Sequence, residues 1–223
     1  MNNITSTHYD PNCFLCKAAN SNINDLPTYD QPIIESKNFI VVSALGQFIE
    51  GYVLIAPRLH FMNMMVIPQN LLKEFFELKA FVSKLLSEEY RKPIFFEHGI
   101  LSNGDREGCC IDHAHMHGIP ANLTILNDIS CLFEFERLEF LNYDIDLFYK
   151  KLKFSKPYFY IQLANLKQYI FYNNKIPNQL GRKVIAEALG CHNYWDWSQY
   201  PFFERAESTF YRLRNKIYFQ EAR

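Results

Sequence analysis

The stretch richest in chemistry is Asp112-His113-Ala114-His115-Met116-His117-Gly118-Ile119. On an extended strand, side chains alternate between faces. His113, His115 and His117 therefore share one face, about 7 Å between neighbours, and Ala114, Met116 and Gly118 take the other. A hydrophobic core has no use for three imidazoles in a row, because each buried polar ring needs a partner. The trio reads instead as a metal-binding face or a phosphate-handling face. Imidazole attacks phosphorus readily and leaves readily. It also titrates near neutral pH, so neighbouring rings can donate to phosphate oxygens. A turn with glycines at both ends, Gly104 to Gly108, precedes the trio and would offer backbone amides to an anion. Together these features suit phosphoryl or nucleotidyl transfer.

Cys13-Phe14-Leu15-Cys16 has metal-ligand spacing but supplies only half of a tetrahedral zinc site. Cys109 and Cys110 are adjacent in the presumed phosphate loop, where their amides matter more than their sulfurs; Cys131 and Cys191 read as solitary apolar groups. Gln179 and Arg182 lie three apart on a helix face opposite its apolar stripe, and an Arg there can clamp a phosphate. His98 reads as a surface or supporting group. Trp195 and Trp197 read as packing residues.

These residues must be positioned by a small set of elements. Ile33 to Ala44 reads as one strand and Tyr52 to Ala56 as a second, both β-branched and bounded by Gly or Pro. After Pro68, Leu71, Leu72, Phe75, Phe76, Leu78, Val82, Leu85 and Leu86 recur at helical spacing. Ile94 to Glu97 and Ile111 to Ile119 are further strands. Tyr158 to Gln162 and Gln168 to Tyr172 form two more. Asn178 to Gly190 and the segment from Glu204 read as helices. Two strands, a helix, then two strands predict an α+β unit with a mainly antiparallel sheet.

The 223 residues suffice for one domain with an appendage, and 48% apolar with 21% charged residues is an ordinary globular composition. The 20 Phe and 14 Tyr are mostly expected in the core. A net charge of −1 without a basic block marks no nucleic-acid groove, so a large polyanionic partner is not implied, while a small phosphorylated ligand is compatible. No apolar run reaches the ~18 residues of a membrane span, and Met1 to Pro11 lacks a secretory pattern. The expectation is a cytoplasmic chain with reduced cysteines.

His113-Ala114-His115-Met116-His117-Gly118-Ile119 resembles the signature of the histidine triad family. Gly51-Tyr52-Val53-Leu54-Ile55-Ala56-Pro57-Arg58-Leu59-His60 resembles the family's strand ending in Pro, a basic residue and a His. Phe96-Glu97-His98-Gly99 and Gly108-Cys109-Cys110-Ile111-Asp112 resemble a bacterial branch of it, and Pro177-Asn178-Gln179-Leu180-Gly181-Arg182 with Trp195-Asp196-Trp197 resemble that branch's C-terminal extension.

The resemblance implies a histidine triad domain over residues 13–122, after a flexible arm at 1–12. An α/β extension over 123–223 packs on that domain. It implies that His115 attacks the α-phosphate of a small nucleotide and that His117 contacts the phosphate. Glu97, Gly108, Cys109, Cys110, Gln179 and Arg182 are the further substrate-binding candidates. A His rather than Gln at position 117 favours hydrolysis over transfer. It also implies a structural zinc on Cys13, Cys16, His60 and His113. Many members hold the ribose with an acid after the first strand, where this chain has Ser43-Ala44-Leu45. Small members complete their sites by dimerising. A homodimer is thus one arrangement for this chain, and an extension that covers the pocket within one chain is the other. Two alternative functions are a nucleotide sensor with little turnover and a metal-dependent hydrolase using His113, His115 and His117 as ligands.

Overall fold

A computed structural model describes residues 9–100, 112–124, 136–140, 157–172 and 176–221. The elements are α1 (Phe14–Asn20), β1 (Pro32–Glu35), β2 (Phe39–Ser43), β3 (Val53–Pro57), α2 (Leu72–Glu89), β4 (Ile94–Gly99), β5 (Met116–Ile119), β6 (Glu136–Phe140), β7 (Tyr158–Gln162), β8 (Gln168–Tyr172), α3 (Leu180–Ala188) and α4 (Phe203–Glu221). The strands form one sheet of order β1-β2-β3-β5-β4-β7-β8-β6, with every pairing antiparallel. The protein is α+β, as the strand and helix patterns predict.

Both sheet faces are covered, which explains why β2, β3, β7 and β8 are buried along their whole length. Strand alternation sorts their side chains into two cores. Phe39, Val41, Val53, Ile55, Phe95, Met116, Tyr158 and Tyr160 face α2 and α4, meeting Phe75, Leu78, Val82, Phe210 and Leu213. Ile40, Val42, Leu54, Phe96, Phe159 and Ile161 face α1 and α3, meeting Leu15, Cys16, Val184 and Ile185. Each buried Leu, Val or Phe contributes about 1.5–3 kcal/mol relative to exposure.

Three elements differ from the sequence reading. Residues 33–44 are two strands, because Ser36–Asn38 turns back on itself: the Ser36 N–H donates to the Phe39 carbonyl, and Glu74 of α2 holds Ser36 and Asn38. The triad strand pairs only from Met116, since the chain before it turns toward α1. The short β6 was not legible at all.

The segment after residue 122 contributes β6, β7 and β8 to the same sheet through the β4–β7 pairing. Its last helix clasps the β2–β3 connection: Ser43 Oγ donates to the Ala206 carbonyl at 2.8 Å, and the Gly51 N–H donates to Thr209 Oγ1 at 3.0 Å. Gly46 sits in the left-handed region at φ 66°, and a Cβ there would lie 2.4 Å from Trp197 Cβ. Only glycine allows the connection to pass so close to the C-terminal segment.

Candidate active site and metal centre

The three histidines divide between two sites. Cys13 caps α1 and Cys16 lies one turn inside it, so both thiols emerge on one side. His60 follows β3 and His113 precedes β5. Cys13 Sγ is 3.4 Å and Cys16 Sγ 3.5 Å from His113 Nδ1, and Cys16 Sγ is 3.3 Å from His60 Nδ1. All four ligand atoms lie within 4.8 Å of one another, and all four residues are buried. A tetrahedral zinc with Zn–S ~2.3 Å and Zn–N ~2.0–2.1 Å places S and N ligand atoms about 3.5 Å apart, so these residues fit the ion. The supporting shell fits as well. His113 Nε2–H donates to the Pro57 carbonyl at 2.7 Å, which leaves Nδ1 with its lone pair toward the thiols. Arg58 donates to the Ala19 and Ser36 carbonyls and so ties the end of α1 to the sheet.

His115 and His117 instead line a cavity of about 230 Å3 on the sheet face that carries α1 and α3. Its walls include Phe14, Asp30, Leu45, Phe96, His98, Gln179, Gly181, Arg182 and Trp197. The two rings meet edge to face with centroids 4.6 Å apart. His115 Nδ1–H donates to the His113 carbonyl at 2.6 Å. The other nitrogen, Nε2, therefore keeps its lone pair. Phe96 stacks on His117 at 4.2 Å with planes 2° apart, because the two residues pair directly across β4 and β5. The Tyr52 hydroxyl lies 2.7 Å from His117 Nδ1. Burial first, then the charges of neighbouring His115 and Arg182, hold His117 well below its ordinary range. Burial, reinforced by His115, lowers His98 to about 4. These rings are neutral at neutral pH.

Arg182 is the cavity's cation. It is buried, not solvent-facing as its helix position suggested. Gly181 permits this, since a Cβ there would lie 2.6 Å from Phe159. Its Nε donates to the Trp195 carbonyl at 2.9 Å, and its terminal nitrogens donate to the carbonyls of Leu45 and Gly46. Among the described residues no carboxylate pairs with it. Gln179 does not point freely at a ligand: Nε2 donates to Asp196 and Oε1 accepts the Trp197 N–H, holding that segment over the cavity.

Glu97 does not join the cavity. It follows Phe96 on β4, so its side chain leaves by the opposite face, where Oε1 accepts the Met64 N–H at 2.7 Å. Burial pushes its carboxyl from 4.5 up to about 8, against the bond from the Met64 N–H. Between those values the folded chain keeps a proton that the unfolded chain has released, so stability falls as pH rises through that window. Glu97→Gln is expected to lose this term. Urea denaturation at pH 5.5 and 8 should show the wild type losing stability relative to the variant; equal pH dependence would reject the assignment.

Gly108, Cys109 and Cys110 lie outside the described residues. Reading the three histidines as one metal ligand set does not hold, since the metal-competent group among the described residues contains His113 alone of them. Tyr52, Phe96, His98, Asp30, Leu45 and Trp197 were missed as site residues. The alternation that aligns His113 with His117 also places His98 two positions after Phe96 on the same face, and that signal was available.

The fold and site thus define a class: an α+β protein whose antiparallel sheet carries a histidine cavity beside a buried Cys2His2 cluster. No family model matches the chain. It is similar to the protein hit of Bacillus subtilis (strain 168), 26% identical over 113 residues, which is 51% of this chain and 73% of that protein. The crystal structure of a member of the HIT family of proteins from Bacillus subtilis is 24% identical, covering 49% of this chain and 72% of that one with a TM-score of 0.40. A Zn-bound histidine triad family protein from Mycobacterium smegmatis is 19% identical over 49% of this chain and 74% of its own, with a TM-score of 0.33. The chain resembles histidine triad proteins. Among the described residues no helix is long and apolar enough to cross a membrane.

Proposed function

We propose that this chain is a histidine triad nucleotide hydrolase or nucleotidyltransferase that works through a covalent nucleotidyl-His115 intermediate. The observation that carries the reading is the His115 ring, whose Nδ1–H is held by the His113 carbonyl so that Nε2 keeps its lone pair in a cavity lined by the otherwise unneutralised Arg182. Nε2 forms a bond to the α-phosphorus while the phosphorus–leaving-group bond breaks, the electron pair departing with the leaving group. The Nδ1 proton stays on the carbonyl bond. Water then attacks phosphorus, the P–N bond breaks, and the water's proton passes to solvent; an alcohol or phosphate in place of water gives transfer. Arg182 offsets the charge on the phosphate, and His117 and His98 stand beside it.

A zinc held by Cys13, Cys16, His60 and His113 has a structural task in this reading. Bound there, with four protein ligands and no open position, it would fix α1 and the chain entering β5. The small cavity and a sequence without a basic block support a small nucleotide substrate, and Gln179, Arg182 and Trp197 line the cavity from within one chain.

Incubating the purified chain with dinucleoside polyphosphates and nucleoside phosphoramidates, followed by acid-free intact-mass measurement, should reveal a nucleotidyl adduct on His115. Hydrolysis without any adduct under rapid quench would reject the covalent route. Arg182→Ala is expected to weaken nucleotide affinity about ten- to hundredfold, the value of a charge-assisted contact worth about 1.5–3 kcal/mol. It should also lower Tm, because three carbonyls lose their donor. Wild-type affinity by calorimetry would remove Arg182 from the binding site.

A further inference from the structure

We propose that Tyr52 is a positioning residue that holds His117 in the tautomer opposite to that of His115, so that one ring offers the cavity a lone pair and its neighbour offers an N–H.

A neutral imidazole has one N–H and one lone pair, and the partner of one nitrogen decides which the other presents. For His115 the partner is a carbonyl, which can only accept, so Nδ1 carries the proton. For His117 the partner is a phenol, 2.7 Å from Nδ1, which can donate or accept. Burial resolves the ambiguity. The proton of a fully buried hydroxyl needs an acceptor, and among the described residues the hydroxyl's hydrogen-bond partner is His117 Nδ1; Arg182 lies over the phenol ring, 5.2 Å from the centroid, and sends its donors to backbone carbonyls. Burial keeps the phenol protonated, raising Tyr52 to about 12. The phenol therefore donates to His117 Nδ1, and His117 Nε2 carries the hydrogen.

The ring cannot escape by reorienting. Phe96 stacks on one face within 2° of parallel, and the His115 ring meets it edge to face. Tyr52 is fully buried, with Phe48 and Phe96 around it. A hydroxyl at this depth that served packing alone would be better replaced by Phe, since a buried polar group costs stability unless bonded.

For catalysis the consequence rests on the function proposed above. His117 would donate its Nε2–H to a non-bridging phosphate oxygen while His115 Nε2 attacks, with no proton transferred. The tautomer itself is a property of the free protein and is tested without substrate. Long-range proton–nitrogen NMR on the uniformly 15N-labelled full chain reads which nitrogen of His117 is protonated. Nε2–H is expected in the wild type. Tyr52→Phe keeps the ring and removes the donor, so His117 should become a mixture of tautomers while the His115 signals persist. Turnover of any nucleotide the wild type hydrolyses should fall about tenfold or more, mainly in kcat. An Nδ1–H tautomer in the wild type, or a His117 pattern unchanged in Tyr52→Phe, overturns the inference. If the variant does not fold, the wild-type spectrum alone decides. An Nε2–H tautomer without hydrolysis of any nucleotide would uphold the inference and count against the proposed reaction.

Discussion

His115→Ala is expected to reduce nucleotide turnover by about 10⁴-fold or more and to abolish the covalent adduct, while nucleotide binding survives. The size follows from the role: no nearby group can replace a nucleophile, and removing one typically collapses the whole sequence of steps. Two of the other histidines are already engaged. His117 Nδ1 is committed to Tyr52 and its ring is stacked on Phe96, and His113 belongs to the cysteine cluster. The His115 side chain is held by one hydrogen bond to a backbone carbonyl and lines open space, so its loss should leave the sheet intact. Two measurements check this, intact mass after nucleotide exposure and calorimetric binding. A variant that turns over at the wild-type rate would end the nucleophile assignment. A variant that binds but never turned over in the wild type either would favour a sensor.

The second large effect concerns the metal. Elemental analysis of the chain purified without chelator is expected to give about one zinc per chain. Cys13→Ser combined with Cys16→Ser should lose it and drop Tm by about 10 °C or more, because metal affinity for a site built only in the folded chain is folding free energy. The structural reason for so large a drop is that the four candidate ligands come from α1, the end of β3 and the entry to β5, so a bound ion would join three segments distant in sequence. Without it, burial pushes the Cys13 thiol up to about 12, leaving a neutral thiol packed against the His113 ring. Zinc retained in the double variant would place the ion elsewhere.

The legible part of this protein was the part governed by local periodicity. The alternation in His113, Ala114, His115, Met116 and His117, the three-residue step from Cys13 to Cys16, the helical run of α2 and the aromatic and β-branched runs of β7 and β8 are properties of neighbouring residues. Strand and helix geometry turn them directly into faces. The α+β class followed from the order of those elements.

Tertiary structure decided everything that depends on which face meets what. Glu97 and His98 are adjacent; alternation puts them on opposite faces, and the β4–β5 register, which pairs Phe96 with His117, decides that the His98 face is the cavity. Arg182 lies on what the sequence presents as a polar helix face, yet the close approach at Gly181 buries it against Tyr52 and three carbonyls. The three histidines look equivalent in sequence. The turn of the chain before Met116 sends His113 to the thiols and leaves His115 and His117 in the cavity. Periodicity is written in the chain because it needs only its neighbours. The division of labour among identical imidazoles is not, because it is set by a carbonyl, a phenol and two thiols, three of which lie more than 50 residues away in sequence.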